Sequence, residues 1–273
     1  MGSIIPQASL TGEKSGALRA KARPVFGCFI YILSKSYTLW YKFNHMAEPI
    51  VLSMPEQPFD STGLVIYGGG GQGKVIIDLI RTLGTHRIVG ILDDGLDAGE
   101  QVLGVPVLGG VKVLPVLYDR GIRLAANTVG GIGKPQVRLQ VFQTLAEAGF
   151  SCPTLVHPSA WVDSSAELEG GVQILAQSYV SSAARVGYGT LINAGVIVSH
   201  DCMIGACVNL SPGAALAGEV KVHDFAQIGM NATVNIGVTI GKGALVGNGA
   251  TIKADVPPGT RVHAGAIWPS RQP

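Results

Sequence analysis

Residues 192–234 read INAGVIVSHDCMIGACVNLSPGAALAGEVKVHDFAQIGMNATV, and an aliphatic side chain returns at every sixth position: Ile192, Val198, Ile204, Leu210, Leu216, Val222, Ile228 and Val234. Stepping by six in both directions carries the series unbroken from Val156 to Ile252, every member Val, Ile or Leu. Two residues before each rung stands a small or modest side chain, among them Ala184, Thr190, Val196, Cys202, Val208, Ala214 and Ala226. A beat of six fits neither the 3.6 residues of a helical turn nor the alternation of a flat strand. It fits a triangular tube in which each hexapeptide is one short side and three make a coil. The rung then points inward and the small residue lets the corner turn. Residues eighteen apart stack on one face, each repeat touches only its neighbours, and both ends need a cap. The preceding domain and the tail from Asp255 are the expected caps.

The composition agrees with tightly turned β-structure: 38 Gly, and 14% charged residues against the roughly 25% usual for globular chains. The 273 residues leave room for two domains. Net charge is +2, and from residue 157 onward six Lys/Arg face seven Asp/Glu. No basic field is available for a phosphate backbone, which argues against nucleic acid as a partner. Cys28, Cys152, Cys202 and Cys207 form no C-x-x-C pair, and a reducing cytoplasm is the expected compartment.

Residues 1–60 stand apart as an extension expected to be disordered or partly helical. They carry six Lys/Arg, the apolar run Val25–Leu33, and the aromatics Tyr37, Trp40, Tyr41 and Phe43. Nine apolar residues cannot cross a bilayer, and no small-x-small cleavage site follows to make a signal peptide. The leading expectation is a dispensable extension, with Met46 or Met54 as an alternative start; membrane contact through residues 25–43 is the competing reading.

Residues 61–153 form the next domain. Leu64–Tyr67 is a short apolar run ending in Gly68-Gly69-Gly70-Gly71-Gln72-Gly73, after which Val75, Ile76, Leu79, Ile80 and Leu83 recur at helical spacing. A second strand, Ile88–Leu92, ends at Asp93-Asp94, where a Rossmann-like fold places an acid for a ribose hydroxyl. A third strand near Arg123–Thr128 and a helix from about Pro135 to Ala148 complete a β/α alternation, hence a parallel sheet. Gly68-x-Gly70-x-x-Gly73 matches the dinucleotide fingerprint, but the segment is too short for two mononucleotide halves. Gly68-x-x-x-x-Gly73-Lys74 matches most of a Walker A loop, yet Val75 stands where Ser or Thr must reach magnesium. A single nucleotide or nucleotide-sugar site, or a turn that only packs helix on strand, remain as readings.

In the repeat, His200 and Asp201 belong to neither inward ladder, so both reach the surface or a corner. A carboxylate beside an imidazole stabilises the imidazolium formed when the ring takes a proton from an attacking amine or hydroxyl. An ordinary exposed pair is the bland alternative. His157, His223 and His263 are expected to be structural or solvated. A zinc lyase would need three converging imidazoles; His200 and His223 are twenty-three apart rather than eighteen, with no histidine between. No metal is expected.

From Leu64 to Ile252 the chain resembles the sialic-acid and bacillosamine acetyltransferase family. The resemblance rests on VIYGGGGQGKVIIDLI, ILDD, VGGIGKPQVR, GFSCPTLVHPSAWVD and the stretch quoted above. It implies a small Rossmann-like domain (α/β) followed, over residues 154–273, by an all-β left-handed parallel β-helix of hexapeptide repeats. It implies a homotrimer using acetyl-CoA as co-substrate, with His200 as general base supported by Asp201. Gly70, Gly71, Gln72, Asp93 and Asp94 fall where the family binds its sugar nucleotide; Asn209, Gly218, Met230 and Asn248 fall where it contacts acetyl-CoA. Gln72 replaces a frequent histidine, Asn209 replaces a histidine that some relatives offer to the thioester, and the ending AGAIWPS departs from the usual close. N-acetylation of a UDP-linked amino sugar is the expected reaction; O-acetylation of sialic acid or a related sugar, and a non-catalytic sugar-nucleotide scaffold, are the alternatives.

Overall fold

The computed structural model of the chain describes residues 60–130 and 135–269, together with the backbone of 28–33, 36–41 and 50–53. The chain divides into two compact units, 1–56 and 57–273. In the first, Cys28–Leu33, Ser36–Tyr41 and Ile50–Ser53 pair as an antiparallel meander. Over those strands the described backbone is extended rather than helical. The remainder of the 1–60 extension, and the side chains expected to touch a membrane, lie outside the described residues. Among the described residues, no helix is long and apolar enough to cross a membrane.

The second unit opens with β1 (Asp60–Tyr67), α1 (Gly71–Leu83) and β2 (Arg87–Leu92). Then come β3 (Gln101–Val102), β4 (Val105–Gly109), α2 (Leu114–Asp119), β5 (Ile122–Asn127) and α3 (Pro135–Glu147). The sheet order is β3-β4-β2-β1-β5, parallel except for the β3–β4 hairpin. The strand order reverses between β1 and β5, so the crevice beyond their carboxyl ends is the topological switch point at which such sheets bind ligands. The three sequence-read strands and two helices are present. The hairpin and α2 were not anticipated: Leu103 (φ 49°) and Gly104 (φ 75°) both turn left-handed at the hairpin tip, where a leucine gives no turn signal.

From Leu155 the chain winds as a left-handed parallel β-helix whose sides are two-residue strands in three stacked sheets. Register is eighteen residues per coil: Trp161 faces Tyr179 and Tyr179 faces Ile197, while Leu191 faces Asn209. Both inward ladders are as read; from Ile174 onward every rung through Ile252 is buried, as are the small residues from Val172 to Ala250. Each rung contributes about 1.5–3 kcal/mol of apolar burial. The corner lies three residues before each rung. From Gly171 to Gly249 every sixth residue is left-handed, with Gln177, Ala183, Asp201, Cys207, Glu219, Phe225 and Asn231 alternating among glycines. L-residues pay about 1–2 kcal/mol for that conformation, so the small ladder beside it keeps the corner from also being crowded.

The six-residue beat stops at Ile252, but the winding of the β-helix continues. Arg261–Val262 stacks on Leu245–Val246 and Ile267–Trp268 on Thr251–Ile252, at an offset of sixteen rather than eighteen. The tail is thus a final, shortened coil rather than only a cap. The first face of the prism (Leu155, Gln173, Leu191, Asn209, Gln227) is buried, and Leu155, Leu175 and Leu191 share one apolar cluster with Leu64, Ile76, Ile80 and Ala126 of the α/β layers. The β/α layers therefore lie over this face.

Candidate active site

His200 and Asp201 stand at the corner between the second face, which carries Ile197–Val198, and the third, which carries Met203–Ile204. Asp201 is itself the left-handed corner residue (φ 58°). Its Oδ2 lies 2.8 Å from His200 Nδ1, and the two side chains are 54% and 59% exposed, so the imidazole faces solvent rather than the packed interior. With Nδ1 held by the carboxylate, the lone pair of Nε2 is the free basic site. The ring lies over Gly218, its counterpart one coil later: a Cβ at Gly218 would fall 2.5 Å from His200 Cε1 and 2.6 Å from Nε2. Gly218, expected at acetyl-CoA, therefore sits under the candidate base.

A cavity of about 800 Å³ lies elsewhere on the same chain, along the first face and its corner with the second. Gln72, Asn209, Met230 and Asn248, separated in sequence, meet in it. It spans five successive first-face rows, Leu191, Asn209, Gln227, Leu245 and Arg261, hence about 19 Å at roughly 4.8 Å per row. At one end are Gln72 and Gly130 from the α/β layers; at the other are the Arg261 guanidinium and the His263 imidazole. Arg261 and His263 were missed because the final coil is two residues short, which takes them out of an eighteen-residue count. His200 does not line this cavity within one chain.

The amide file in the cavity is partly self-satisfied. Asn193 Nδ2 donates to Asn209 Oδ1 at 3.2 Å and to the Leu210 carbonyl at 2.8 Å, and Asn209 Nδ2 reaches Ser211 Oγ at 3.3 Å. Asn248 Oδ1 accepts from the Met230 amide at 2.9 Å, fixing that corner. Gln72 Nε2 is buried and has no hydrogen-bond partner among the described residues.

The glycine loop is shaped by steric demand. A Cβ at Gly73 would lie 2.3 Å from the Gly68 carbonyl oxygen, whereas Gly70 and Gly71 have open space beside them. α1 starts with Gly70 as N-cap and no side-chain cap. Asp93 and Asp94, expected at a ribose, are both engaged locally. Asp93 accepts from the Gly69 and Gly95 amides at 2.7 and 2.8 Å; Asp94 accepts from Tyr67 Oη at 2.8 Å and the Val111 amide at 3.0 Å. Burial and the Asp94 carboxylate hold the Tyr67 phenol well above its ordinary range. Gly70, Gly71, Asp93 and Asp94 are not in the lining of the cavity. Among the described residues, no three His, Cys, Asp or Glu side chains converge as a metal cage would need.

Comparisons with known proteins bear on this geometry. The PglD N-terminal domain family matches residues 63–145. A GDP-perosamine N-acetyltransferase of Escherichia coli O157:H7 is 30% identical over 174 residues, covering 62% of this chain and 76% of that protein. PerB from Caulobacter crescentus, solved in complex with CoA and GDP-perosamine, superposes with a TM-score of 0.70 at 35% identity, covering 77% of this chain and 97% of the other. The acetyltransferase domain of PglB from Neisseria gonorrhoeae FA1090, solved with acetyl coenzyme A, superposes at 0.68 and 32% identity, covering 75% and 97%. The chain therefore belongs to the family of hexapeptide-repeat sugar acetyltransferases with a PglD-type N-terminal domain.

Proposed function

We propose that this protein transfers the acetyl group of acetyl-CoA to the amine of a nucleotide-linked amino sugar, with His200 as general base. The observation that carries the reading is the His200–Asp201 pair on an exposed corner with Nε2 free over Gly218. The amine attacks the thioester carbonyl carbon while Nε2 takes its proton; the tetrahedral intermediate expels the CoA thiolate, which recovers that proton from the imidazolium. Asp201 fixes the tautomer and stabilises the imidazolium. Coil amides at the corner stabilise the oxyanion. Similarity to PerB and to the GDP-perosamine enzyme supports nitrogen over oxygen as the acceptor and a nucleoside diphosphate as the carrier.

The cavity is the proposed seat of both substrates. Gln72, the Gly70–Gly71 loop and Gly130 lie on the sugar-nucleotide side, with Asp93 and Asp94 acting by shaping the loop. Asn209, Met230 and Asn248 line the acetyl-CoA side, and Arg261 and His263 suit its phosphates. The base must come from another copy. The second face lies between the cavity corner and the His200 corner, and it carries an exposed apolar stripe on three consecutive rows, Trp161 at 67%, Tyr179 at 37% and Ile197 at 45%, with Ile267 at 56% on the last row. Burying that stripe in a homotrimer brings the His200 edge of one copy to the cavity edge of the next. A head-to-tail contact of this kind closes as a ring. The cytoplasm, where acetyl-CoA and sugar nucleotides are found together, is the proposed compartment.

The test is CoA release by the purified chain with GDP- and UDP-linked amino sugars, and with sialic acid as the oxygen acceptor. His200→Ala is expected to lose a factor of about 10²–10⁴ in turnover while remaining folded. Retained activity would reject the assignment, and turnover of sialic acid alone would move the reading to oxygen.

A further inference from the structure

The loop after β5, residues 127–130, delivers Gly130 to the cavity, and its conformation is set from the β-helix side by buried polar groups. Arg138 of α3 is 2% exposed, yet no carboxylate pairs with it among the described residues. Its Nε donates to the Gly189 carbonyl of a coil corner at 2.9 Å; its Nη1 donates to the carbonyls of Asn127 at 3.2 Å and Val129 at 3.1 Å. Gln173, on the first face of the β-helix and also 2% exposed, donates from Nε2 to the same Asn127 carbonyl at 2.8 Å. Asn127 returns a bond from Nδ2 to the Arg138 carbonyl at 2.8 Å, and its Oδ1 accepts from the Val129 amide at 3.0 Å. The next residue, Thr128, donates from Oγ1 to the carbonyls of Tyr67 at 2.8 Å and Gly68 at 2.6 Å. A continuous chain of bonds thus runs from two coils of the prism, through 127–130, into the glycine loop.

The neighbouring thiols offer Arg138 no counter-charge: burial pushes Cys152 up to about 12 and Cys207 up to about 11, so both stay protonated. A buried guanidinium met by carbonyl dipoles and by the Phe142 ring, whose centroid is 5.3 Å from its Cζ, but by no carboxylate among the described residues, is a costly way to join two layers, and apolar packing would join them more cheaply. What the guanidinium adds is a planar fork of fixed donors, hence geometry. Building on the sugar-nucleotide reading above, we propose that Arg138 and Gln173 are positioning residues that hang the nucleotide-sugar side of the cavity from the β-helix, setting the loop at 127–130 where a nucleoside diphosphate sugar is held.

The test pairs kinetics with hydrogen exchange on the full chain. Gln173→Leu keeps the volume and removes one donor to Asn127; Arg138→Met removes the fork and tests the larger effect if it folds. For Gln173→Leu the KM for the nucleotide sugar should rise about three- to tenfold, as expected for one lost hydrogen bond. The KM for acetyl-CoA should stay within about twofold, because Asn127 lies on the sugar side only. Amides of 127–130 should exchange faster while coil amides around Ile228 do not. Unchanged exchange at 127–130, or a KM for acetyl-CoA that rises in step with that for the sugar, would overturn the positioning role. Turnover of no nucleotide-linked amino sugar by the wild type would overturn the functional reading and the positioning role with it; the exchange result would still decide whether the clamp exists.

Discussion

Replacing Gly218 by alanine separates two roles for that residue. The backbone at Gly218 is not left-handed, so the substitution costs no backbone strain and, by restricting the unfolded chain, contributes about 0.4–1 kcal/mol of stability. The added methyl would sit 2.5 Å from His200 Cε1 and 2.6 Å from Nε2. Ordinary carbon contacts are about 3.5–4.0 Å, so the ring must recede by roughly 1 Å, and a solvent-facing imidazole gives way before the coil does. A misplacement of that size costs on the order of 10² in rate when it moves a reacting group. The expected result is a kcat about a hundredfold down, a melting temperature equal to or slightly above wild type, and unchanged KM for acetyl-CoA, read from thiol release under saturation of each substrate. Had Gly218 served acetyl-CoA as the family resemblance implies, its KM would rise instead. A folded Gly218→Ala protein with kcat within about threefold of wild type would refute the reasoning.

Other perturbations address the scaffold. Ile228→Ala empties a fully buried rung and should cost about 2–5 kcal/mol, lowering the melting temperature by on the order of 10 °C; a calorimetric shift below about 2 °C would mean the rungs do not carry the stability. The Trp161 indole N–H at 2.8 Å, followed by the Ser182 and Tyr179 hydroxyls, holds the Asp163 carboxyl below its usual 3.8. A depressed carboxylate stabilises the fold above its unfolded value and loses that contribution as pH falls through the folded one. Asp163→Asn should therefore melt below wild type at pH 7, with the gap closing below pH 3.8; a gap independent of pH would exclude the carboxylate's charge as the cause. Cys152 and Cys207, buried and raised, should stay unalkylated at pH 8 in native protein and react on unfolding, as located by peptide mass; native labelling of either would contradict their burial.

Much of this structure is written in period. A six-residue aliphatic beat can be satisfied only by an inward-facing rung, so the prism and both ladders follow from residues alone, and His200 reaches the surface by belonging to neither ladder. Where the beat slips, legibility is lost: the two residues missing between Ile252 and Val256 hide the last coil, and with it the place of Arg261 and His263. Asp93 and Asp94 show a different limit. Their spacing from Gly73 is what a ribose-binding acid would have, but spacing does not show that the carboxylates also accept from backbone amides, Asp93 from Gly69 and Asp94 from Val111. Arg138 was unreadable because its three acceptors are backbone carbonyls at 127, 129 and 189, groups that every sequence has everywhere.

The stacking of coils also makes the molecule a ruler with fixed graduations. His200 can change its height relative to the α/β layers and keep its corner only by whole coils, about 4.8 Å at a time, because removing six or twelve residues would carry it to a different corner of the prism. A deletion of residues 173–190 would lower the imidazole by one graduation while leaving its own corner chemically intact. The height of that corner above the α/β layers is thus stored as an integer.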